Sequence, residues 1–273
     1  MEQLTIGNAF DQAIDRLNNI YESHEAHSIV QRLFEDFLEI SQLQLYLEKS
    51  SHLSEDQQIT LEAALKRLEE GEPVQYIIGF ADFLGNQIYV NSNVLIPRQE
   101  TEELVYNIQK AEPDFEGRIL DIGTGTGCIA IALSQYFPKA EVIGIDHSKE
   151  AIHMAKTNAR QNHSRSLFQQ LDAWQEEEVD TLEPFDMIVS NPPYVTESEK
   201  QNMHQNVLAY EPHEALFVNN DEPLQYYQQV VHISKKLLKA QGRLYLEINE
   251  AYKDAIKEVL ENSNFIDITL YKD

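Results

Sequence analysis

The sequence predicts an α/β protein with a doubly wound, mostly parallel sheet, preceded by a small helical domain and a β-hairpin linker. From residue 118 onward, short apolar runs alternate with helical segments, which is typical of parallel sheets with helices on both faces. Residues 1–76 instead repeat apolar side chains at helical spacing. We therefore predict a helical domain over 1–76, a hairpin and linker helix over 77–112, and an α/β domain over 113–273.

The N-terminal half contains local signals for helix starts and turns. Ser54 followed by Gln57 forms a capping box, which predicts the start of a helix. Strand-like runs on either side of Gly85-Asn86, within residues 80–96, predict a β-hairpin. A helix is then expected after the break at Pro97. None of these segments carries a chemical motif of its own.

The predicted strands of the α/β domain are short and separated by helices. They lie at 118–122, 141–146, 167–171, 186–190, 243–248 and 265–270. Between them, helices are predicted notably at 148–161, with Ser148 as N-cap, and at 223–240, ended by Gly242.

Composition and charge argue against several classes of function. A hydrophobic content of 42% supports real cores, and no apolar run reaches the length of a membrane span. The first twenty residues are polar and acidic, so neither a signal peptide nor an anchor is expected. The lone cysteine, Cys128, suits a reducing cytoplasm. With 21 basic and 46 acidic residues, the net charge of −25 argues against direct nucleic-acid binding.

A glycine-rich loop follows the first strand of the α/β domain and precedes a helix. Its residues are Gly123, Thr124, Gly125, Thr126 and Gly127. Glycines at alternate positions let the backbone approach a ligand closely. Asp146 ends the next predicted strand about 20 residues further on, where an acid commonly binds ribose hydroxyls. Asp172 ends the third strand, where it could meet a base edge. These residues predict a nucleoside cofactor, and both a dinucleotide and S-adenosylmethionine fit them.

The fourth strand ends at the sequence Asn191-Pro192-Pro193-Tyr194. Two prolines cannot continue a strand, so Asn191 lies where ligands bind in open α/β sheets. The prolines also leave carbonyl groups without regular ladder partners. A side-chain amide, an acceptor carbonyl and an aromatic face together suit a flat group that bears an NH2.

The glycine loop combined with Asn191-Pro192-Pro193-Tyr194 resembles class I S-adenosylmethionine-dependent methyltransferases that act on adenine, cytosine or glutamine nitrogens. More specific similarity is to the peptide chain release factor N5-glutamine methyltransferases, whose Rossmann-like fold follows a helical domain. The segments that carry this resemblance are 71–79, 94–102, 121–127, 191–194 and 210–212 with 215–216.

The resemblance implies a cofactor, a substrate and binding residues. The cofactor would be S-adenosyl-L-methionine, with Asp172 and Ala173 at its adenine. The substrate would be the glutamine of a Gly-Gly-Gln loop in a class I release factor, a protein of translation termination that the helical domain helps to hold. Arg98 and Glu211 would belong to the substrate site together with 191–194. No metal and no membrane partner are expected.

In the mechanism that these residues predict, Asn191 Oδ1 and the Pro192 carbonyl each accept one N–H of the glutamine amide. They orient the nitrogen lone pair and favour the positive charge that develops on nitrogen. Tyr194 stacks on the amide plane and excludes water. Neither side chain has to deprotonate the amide before methyl transfer.

Two alternatives from other classes remain. A nucleic-acid adenine-N6 methyltransferase would use the same motif on a flipped base, although the net charge of −25 opposes it. A cofactor-binding module without catalysis would use the helical domain as an adaptor, although the intact Asn191 and Tyr194 oppose this alternative. Relatives continue past the position of Asp273 into a final antiparallel strand, so an altered sheet edge is expected here.

Overall fold

The computed structural model of the protein describes residues 4–272, apart from the side chains of residues 202 and 205. The helices are α1 (Ile6–Leu17), α2 (Ser23–Arg32), α3 (Gln42–Leu47), α4 (Glu55–Glu69), α5 (Val74–Ile78), α6 (Gln99–Ala111), α7 (Cys128–Tyr136), α8 (Lys149–Gln161), α9 (Glu176–Val179), α10 (Gln205–Tyr210), α11 (Gln225–Leu237) and α12 (Lys253–Asn262). The strands are β1 (Phe80–Phe83), β2 (Asn86–Tyr89), β3 (Arg118–Ile122), β4 (Glu141–Asp146), β5 (Leu167–Gln170), β6 (Phe185–Ser190), β7 (Val195–Thr196), β8 (Phe217–Val218) and β9 (Leu238–Leu246). Across residues 4–272, no helix combines the length and the apolar composition that crossing a membrane would require.

The chain forms two compact units. Within the described residues, the first unit extends to Gly79 and also includes His204–Tyr210, while the second begins at Phe80. The helices of the first unit enclose a core that contains Leu17, Phe34 and Leu68, all without exposed surface. The capping box predicted at the start of α4 is confirmed, because Ser54 and Gln57 bond each other's backbone amides.

The predicted linker segment packs into the core of the second unit. Val105 and Ile108 on α6 are fully buried in the same cluster as Phe83 and Ile88 from the hairpin strands. Each such side chain contributes roughly 1.5–3 kcal/mol when it leaves water. The hairpin and α6 are therefore held by this core.

The β-hairpin is confirmed, but its turn lies one residue earlier than predicted. Phe83 pairs with Asn86, which leaves Leu84 and Gly85 as the two turn residues. Their φ angles are 46° and 78°, as expected for a type I′ turn that matches the twist of the strands. The strand pair ends at Tyr89, short of the predicted limit.

The central sheet is parallel, with the strand order β5-β4-β3-β6-β9, which confirms the predicted fold class. From β3 the chain proceeds outward through β4 and β5, and then returns to β6 on the other side. The carboxyl ends of β3 and β6 thus meet at the point where the strand order reverses. Ligands bind at such switch points in open α/β sheets.

Two predictions near the C-terminus are wrong. The helix predicted over 223–240 ends at Leu237, because Leu238 is already extended and pairs with Phe185. Gly242 lies inside β9, where a Cβ atom would approach Leu238 Cδ2 to 2.9 Å. The segment 265–270 forms no strand, since Asp267 has a φ of 56°, which interrupts an extended chain.

Candidate active site

The site is assembled from loops at the carboxyl edge of the parallel sheet. Ile122 pairs with Ser190, so the loop that starts at Gly123 and the turn that starts at Asn191 emerge side by side. Ser190 Oγ also donates a hydrogen bond of 2.8 Å to the Ile122 carbonyl. On the other side of β3, Leu171 N donates to the Asp146 carbonyl at 2.9 Å, which places Asp172 next to the end of β4.

The glycines of the loop have different structural roles, although all three have positive φ angles of 72°, 52° and 81°. A Cβ atom on Gly123 or Gly125 would meet no heavy atom within 4 Å. A Cβ atom on Gly127 would lie 2.9 Å from Phe168 Cζ and 3.0 Å from Ala155 Cβ. The first two glycines therefore leave open space above the loop, whereas Gly127 allows it to pack on the sheet.

Asp121, the third residue before Thr124, is a buried acid at the base of the loop. Its Oδ2 accepts a hydrogen bond of 2.6 Å from Thr124 Oγ1. Its Oδ1 has no hydrogen-bond partner among the described residues, and the side chain is inaccessible to solvent. Burial raises the pKa of Asp121 to about 7. An unpartnered carboxylate oxygen at this depth favours a positively charged or hydrogen-bonding ligand.

Asn158, a residue that sequence reasoning missed, fixes the far side of the loop. It is fully buried on α8, and its Nδ2 donates to the Thr126 carbonyl at 2.9 Å. The same amide accepts from Tyr89 N at 2.8 Å and donates to the Tyr89 carbonyl at 3.0 Å. The available signal in the sequence was a polar residue, Asn158, at a position where the helical period of α8 predicts an apolar one.

Asp146 lies at the end of β4, as predicted, and contacts the glycine loop directly. Its Oδ2 accepts a hydrogen bond from Gly125 N at 2.9 Å, and its Oδ1 accepts one from Ser148 N at 2.9 Å. Burial raises the pKa of this carboxyl, against the effect of these two backbone bonds. Asp146 thus links the loop to the start of α8 at the edge of the crevice.

Asp172 and Ala173 are located in a turn beyond β5. Asp172 Oδ1 accepts a hydrogen bond of 2.9 Å from Trp174 N, and the Ala173 carbonyl accepts one of 2.6 Å from Gln229 Nε2. A cavity of about 370 Å³ adjoins this turn. Its lining residues are His147, Gln169, Gln170, Leu171, Asp172, Glu178 and Thr181.

The residues present fit a nucleoside cofactor that carries positive charge. Gly123 and Gly125 leave space above the backbone, and Asp146 stands beside them with a carboxylate for hydroxyl groups. The unpartnered oxygen of Asp121, in β3, adds an acceptor at the base of that loop. The structure therefore brings together the predicted glycine loop and Asp146, and adds Asp121.

The turn after β6 is held by a set of side-chain hydrogen bonds. Asn191 Nδ2 donates to Thr101 Oγ1 at 3.0 Å, and that hydroxyl donates to Glu247 Oε2 at 2.6 Å. Tyr194 Oη donates to the other carboxylate oxygen, Glu247 Oε1, at 2.9 Å. Pro192 is buried, and no hydrogen bond to its carbonyl oxygen occurs among the described residues. Two acceptors, Asn191 Oδ1 and the Pro192 carbonyl, are consequently left for another molecule.

Glu247 connects the two functional side chains of this turn, and sequence reasoning missed it. Burial raises its pKa, whereas hydrogen bonds from Thr101 and Tyr194 oppose that rise. Burial, together with this carboxylate, raises the pKa of Tyr194, which keeps the phenol protonated. Leu246, the last residue of β9, pairs with Ser190, so the residues that follow them, Glu247 and Asn191, emerge side by side. The acid at the end of this strand was the signal available in the sequence.

Asn249 fixes the backbone of the same turn. Its Nδ2 donates a hydrogen bond of 3.3 Å to the Tyr194 carbonyl. Its backbone N donates one of 3.0 Å to Tyr227 Oη, and the Tyr227 side chain is fully buried on α11. Tyr194 is thereby anchored at both its hydroxyl and its main chain.

Arg98 and Glu211 are paired with each other. Arg98 Nη2 donates to Glu211 Oε1 at 2.6 Å, and Glu211 Oε2 accepts from Ile96 N at 3.2 Å. The Glu211 side chain is 1% exposed, whereas that of Arg98 is 33% exposed, so the carboxylate is the buried member of the pair. It orders the chain immediately before α6, the helix that carries Thr101.

Cys128 at the start of α7 is unsuited to nucleophilic chemistry. It is buried, and burial raises the pKa of its thiol to about 12. Among the described residues, no cluster of His, Cys, Asp and Glu has the arrangement of a metal site.

Comparison with known proteins gives two family matches within the chain. Residues 99–217 match the methyltransferase small domain, and residues 8–79 match the PrmC N-terminal domain. A release factor glutamine methyltransferase of Bacteroides thetaiotaomicron is 40% identical over 94% of this chain and 92% of its own length. The protein of that name from Flavobacterium psychrophilum is 40% identical over 99% of this chain and 95% of its own. One from Enterococcus faecalis is 39% identical over 80% and 77%.

Proposed function

Since the chain belongs to the release factor glutamine methyltransferases, an S-adenosylmethionine-dependent family, we propose that it methylates the side-chain nitrogen N5 of the Gly-Gly-Gln glutamine in class I release factors. The relatives' names specify release factors and glutamine, and the loop and atom are our inference. The substrate is a protein of the translation machinery, so we also propose a cytoplasmic location.

One observation carries this proposal, namely the arrangement of acceptors around Asn191. Its amide nitrogen is engaged with Thr101, which leaves Asn191 Oδ1 as an acceptor beside the Pro192 carbonyl. A primary amide has two N–H groups on one nitrogen, and the two available acceptors, on consecutive residues, match them in number. This arrangement supports an amide substrate over one that lacks an NH2.

The chemical difficulty lies in the substrate nitrogen, because its lone pair is delocalised into the carbonyl. When bound, S-adenosylmethionine supplies a methyl group on a positively charged sulfonium. Asn191 Oδ1 and the Pro192 carbonyl hold the two N–H groups and favour positive charge on nitrogen. Positioning of this kind can be worth ~7–11 kcal/mol. Tyr194, fixed by its bond to Glu247, covers the amide and excludes water.

The cofactor would be held by the loop after β3 and the acids beside it. Gly123 and Gly125 admit it closely, and Asp146 exchanges its contact with the loop for the ribose hydroxyls. Asp172 and Ala173 provide the adenine end, next to the adjoining cavity. These assignments are our proposal for this chain's residues.

Adenine-N6 methylation of a nucleic acid is the second candidate, since an adenine amino group would meet the same two acceptors. The net charge of −25 opposes it, because nucleic-acid affinity depends on Lys and Arg that neutralise phosphates. The family membership also favours the protein substrate.

We propose that the helical unit recognises the release factor. On α3, Leu43, Tyr46 and Leu47 are 66%, 74% and 67% exposed, and the helix buries none of its residues. Clustered apolar side chains in solvent favour a protein partner. Changing all three to Ser should raise KM for an intact release factor and leave methylation of a short Gly-Gly-Gln peptide unchanged. An equal KM for the intact factor would refute this role.

The experiment that tests the proposed function incubates the enzyme with methyl-labelled cofactor and a class I release factor. Mass spectrometry should locate the label on the glutamine of the Gly-Gly-Gln loop. A release factor with that glutamine replaced by glutamate is the matched control and should remain unlabelled. Label on another residue, or on added nucleic acid alone, would overturn the proposal.

A further inference from the structure

We propose that Glu247 is a positioning residue that fixes the orientation of the Asn191 side-chain amide through Thr101, and that of Tyr194 directly. The inference rests on the proposed function, because it assigns Asn191 Oδ1 to the substrate amide. It concerns two residues outside the predicted site, contributed by α6 and by the end of β9.

The chemistry of Glu247 fixes the direction of each bond in this chain of hydrogen bonds. An ionised carboxylate only accepts, so Thr101 Oγ1 must donate its single proton to Glu247. That hydroxyl then has only lone pairs left for its second neighbour. It must accept from Asn191, at 3.0 Å, and only the NH2 end of the amide can donate.

The consequence is that the amide of Asn191 has one allowed orientation. Turning it by 180° would bring its oxygen against Thr101 Oγ1, whose proton is already committed to Glu247. With the NH2 end fixed, Asn191 Oδ1 is presented as an acceptor beside the Pro192 carbonyl.

The same carboxylate fixes the second side chain of the turn. Tyr194 Oη donates to Glu247 Oε1, while Thr101 uses Oε2, so the two oxygens serve different partners. Glu247 itself is held in register by its backbone N, which donates to the Ser190 carbonyl at 3.1 Å. Glu247 therefore couples the orientation of the acceptor amide to that of the aromatic ring.

The test compares three variants in single-turnover methylation of a release factor. Thr101→Val keeps the branched shape and removes the hydroxyl. Thr101→Ser keeps the hydroxyl and removes a methyl group. Glu247→Gln keeps the size but has an NH2 that can donate to Thr101, which permits the reversed chain of hydrogen bonds. Each variant is also titrated with S-adenosylmethionine.

We expect Thr101→Val and Glu247→Gln to slow methyl transfer at saturating substrates by about tenfold or more, the scale of one lost orienting hydrogen bond to a charged group. Their affinity for the cofactor should stay within about threefold of the parent, and Thr101→Ser should restore most of the lost rate. Full activity in either Thr101→Val or Glu247→Gln would overturn the inference. Equal losses in Thr101→Val and Thr101→Ser would also overturn it, since packing alone would then explain them.

The parent enzyme in the same assay separates this inference from the proposed function. If the parent fails to label the Gly-Gly-Gln glutamine, the proposed function is wrong. If the parent labels it and the Thr101 and Glu247 variants match its rate, only the positioning role of Glu247 is wrong. Since Glu247→Gln is isosteric, it keeps the test decisive if Thr101→Val folds poorly.

Discussion

The two loops that meet at the carboxyl edge of β3 and β6 are stabilised in different ways. The loop over 123–127 depends on backbone conformation, with glycines at positive φ and a backbone N–H bonded to Asp146. The turn over 191–194 depends on side chains from distant elements, above all Glu247 and Thr101. The backbone conformation of the first is encoded by glycines within a short stretch of sequence, whereas the second depends on side chains from α6 and from the segment after β9.

This difference indicates a division of labour between the loops. A loop built from backbone tolerates close approach of a ligand and suits the binding of a common cofactor. A turn built from oriented side chains presents acceptors of defined direction and suits discrimination of the substrate and alignment for reaction. Substitutions in the two loops should therefore affect different measurable quantities.

The largest effect is expected at the turn. Asn191→Ala removes one of the two acceptors for the substrate amide and should lower turnover by ~10²-fold or more, as when one preorganised transition-state partner is deleted. Asn191→Asp should also be impaired, because it places a second carboxylate against Glu247 and removes the donor to Thr101. Single-turnover methylation of a release factor measures both. Near-normal turnover in Asn191→Ala would refute the proposed mechanism.

A smaller effect, on affinity and not on rate, is expected beside the glycine loop. Asp146→Ala removes a charge-assisted partner of the ribose hydroxyls, typically ~1.5–3 kcal/mol, and should weaken S-adenosylmethionine binding by about 10- to 150-fold. Calorimetric titration provides the measurement. Unchanged affinity would remove Asp146 from the cofactor site.

Within the glycine loop, two substitutions should differ in how much they lower the free energy of unfolding. Both Gly125→Ala and Gly127→Ala place a side chain at positive φ, which costs about 1 kcal/mol or more. Gly127→Ala also forces a Cβ atom against Phe168 and Ala155, which should cost a further ~1–3 kcal/mol of unfolding free energy. Chemical denaturation should therefore find Gly127→Ala the less stable variant. Equal stability would show that Gly127 is not packed as described.

The smallest predicted effect concerns pH and the unpartnered acid below the loop. Because the pKa of Asp121 is raised to about 7, the folded protein binds more protons than the unfolded chain between about pH 4 and 7. This group therefore costs stability as the pH rises through that window. Asp121→Asn should raise the apo-protein Tm at pH 8 relative to the parent by ~2–4 °C, and change it less at pH 5. The same difference at both pH values would contradict the raised pKa.

Sequence reasoning succeeded where the determinants are local. The glycine loop lies between β3 and α7, and Asp146 ends β4, as the spacing of strands and glycines predicted. The parallel direction of the strands in the sheet followed from alternating strands and helices. Each of these features is determined by residues close together in the chain.

Sequence reasoning failed where the partners are distant or where pattern and geometry differ. Thr101 and Glu247 are 146 residues apart, so their hydrogen bond and its effect on Asn191 had no local signal. The alternating apolar residues at 265–270 resembled a strand, yet Ile266 is 83% exposed and the chain does not pair there. Apolar alternation predicts a strand only when a sheet face is available to bury it.

The division of labour between the loops is tested most directly by single-turnover methylation of a release factor over a wide range of S-adenosylmethionine concentration, with Asp146→Ala and Asn191→Ala side by side. We predict that Asp146→Ala approaches the parental rate as the cofactor saturates, because its defect lies in binding. Asn191→Ala should stay ~10²-fold slow at every cofactor concentration, because its defect lies in presenting the amide. Recovery of Asn191→Ala at saturation, or a slow plateau for Asp146→Ala, would contradict the account.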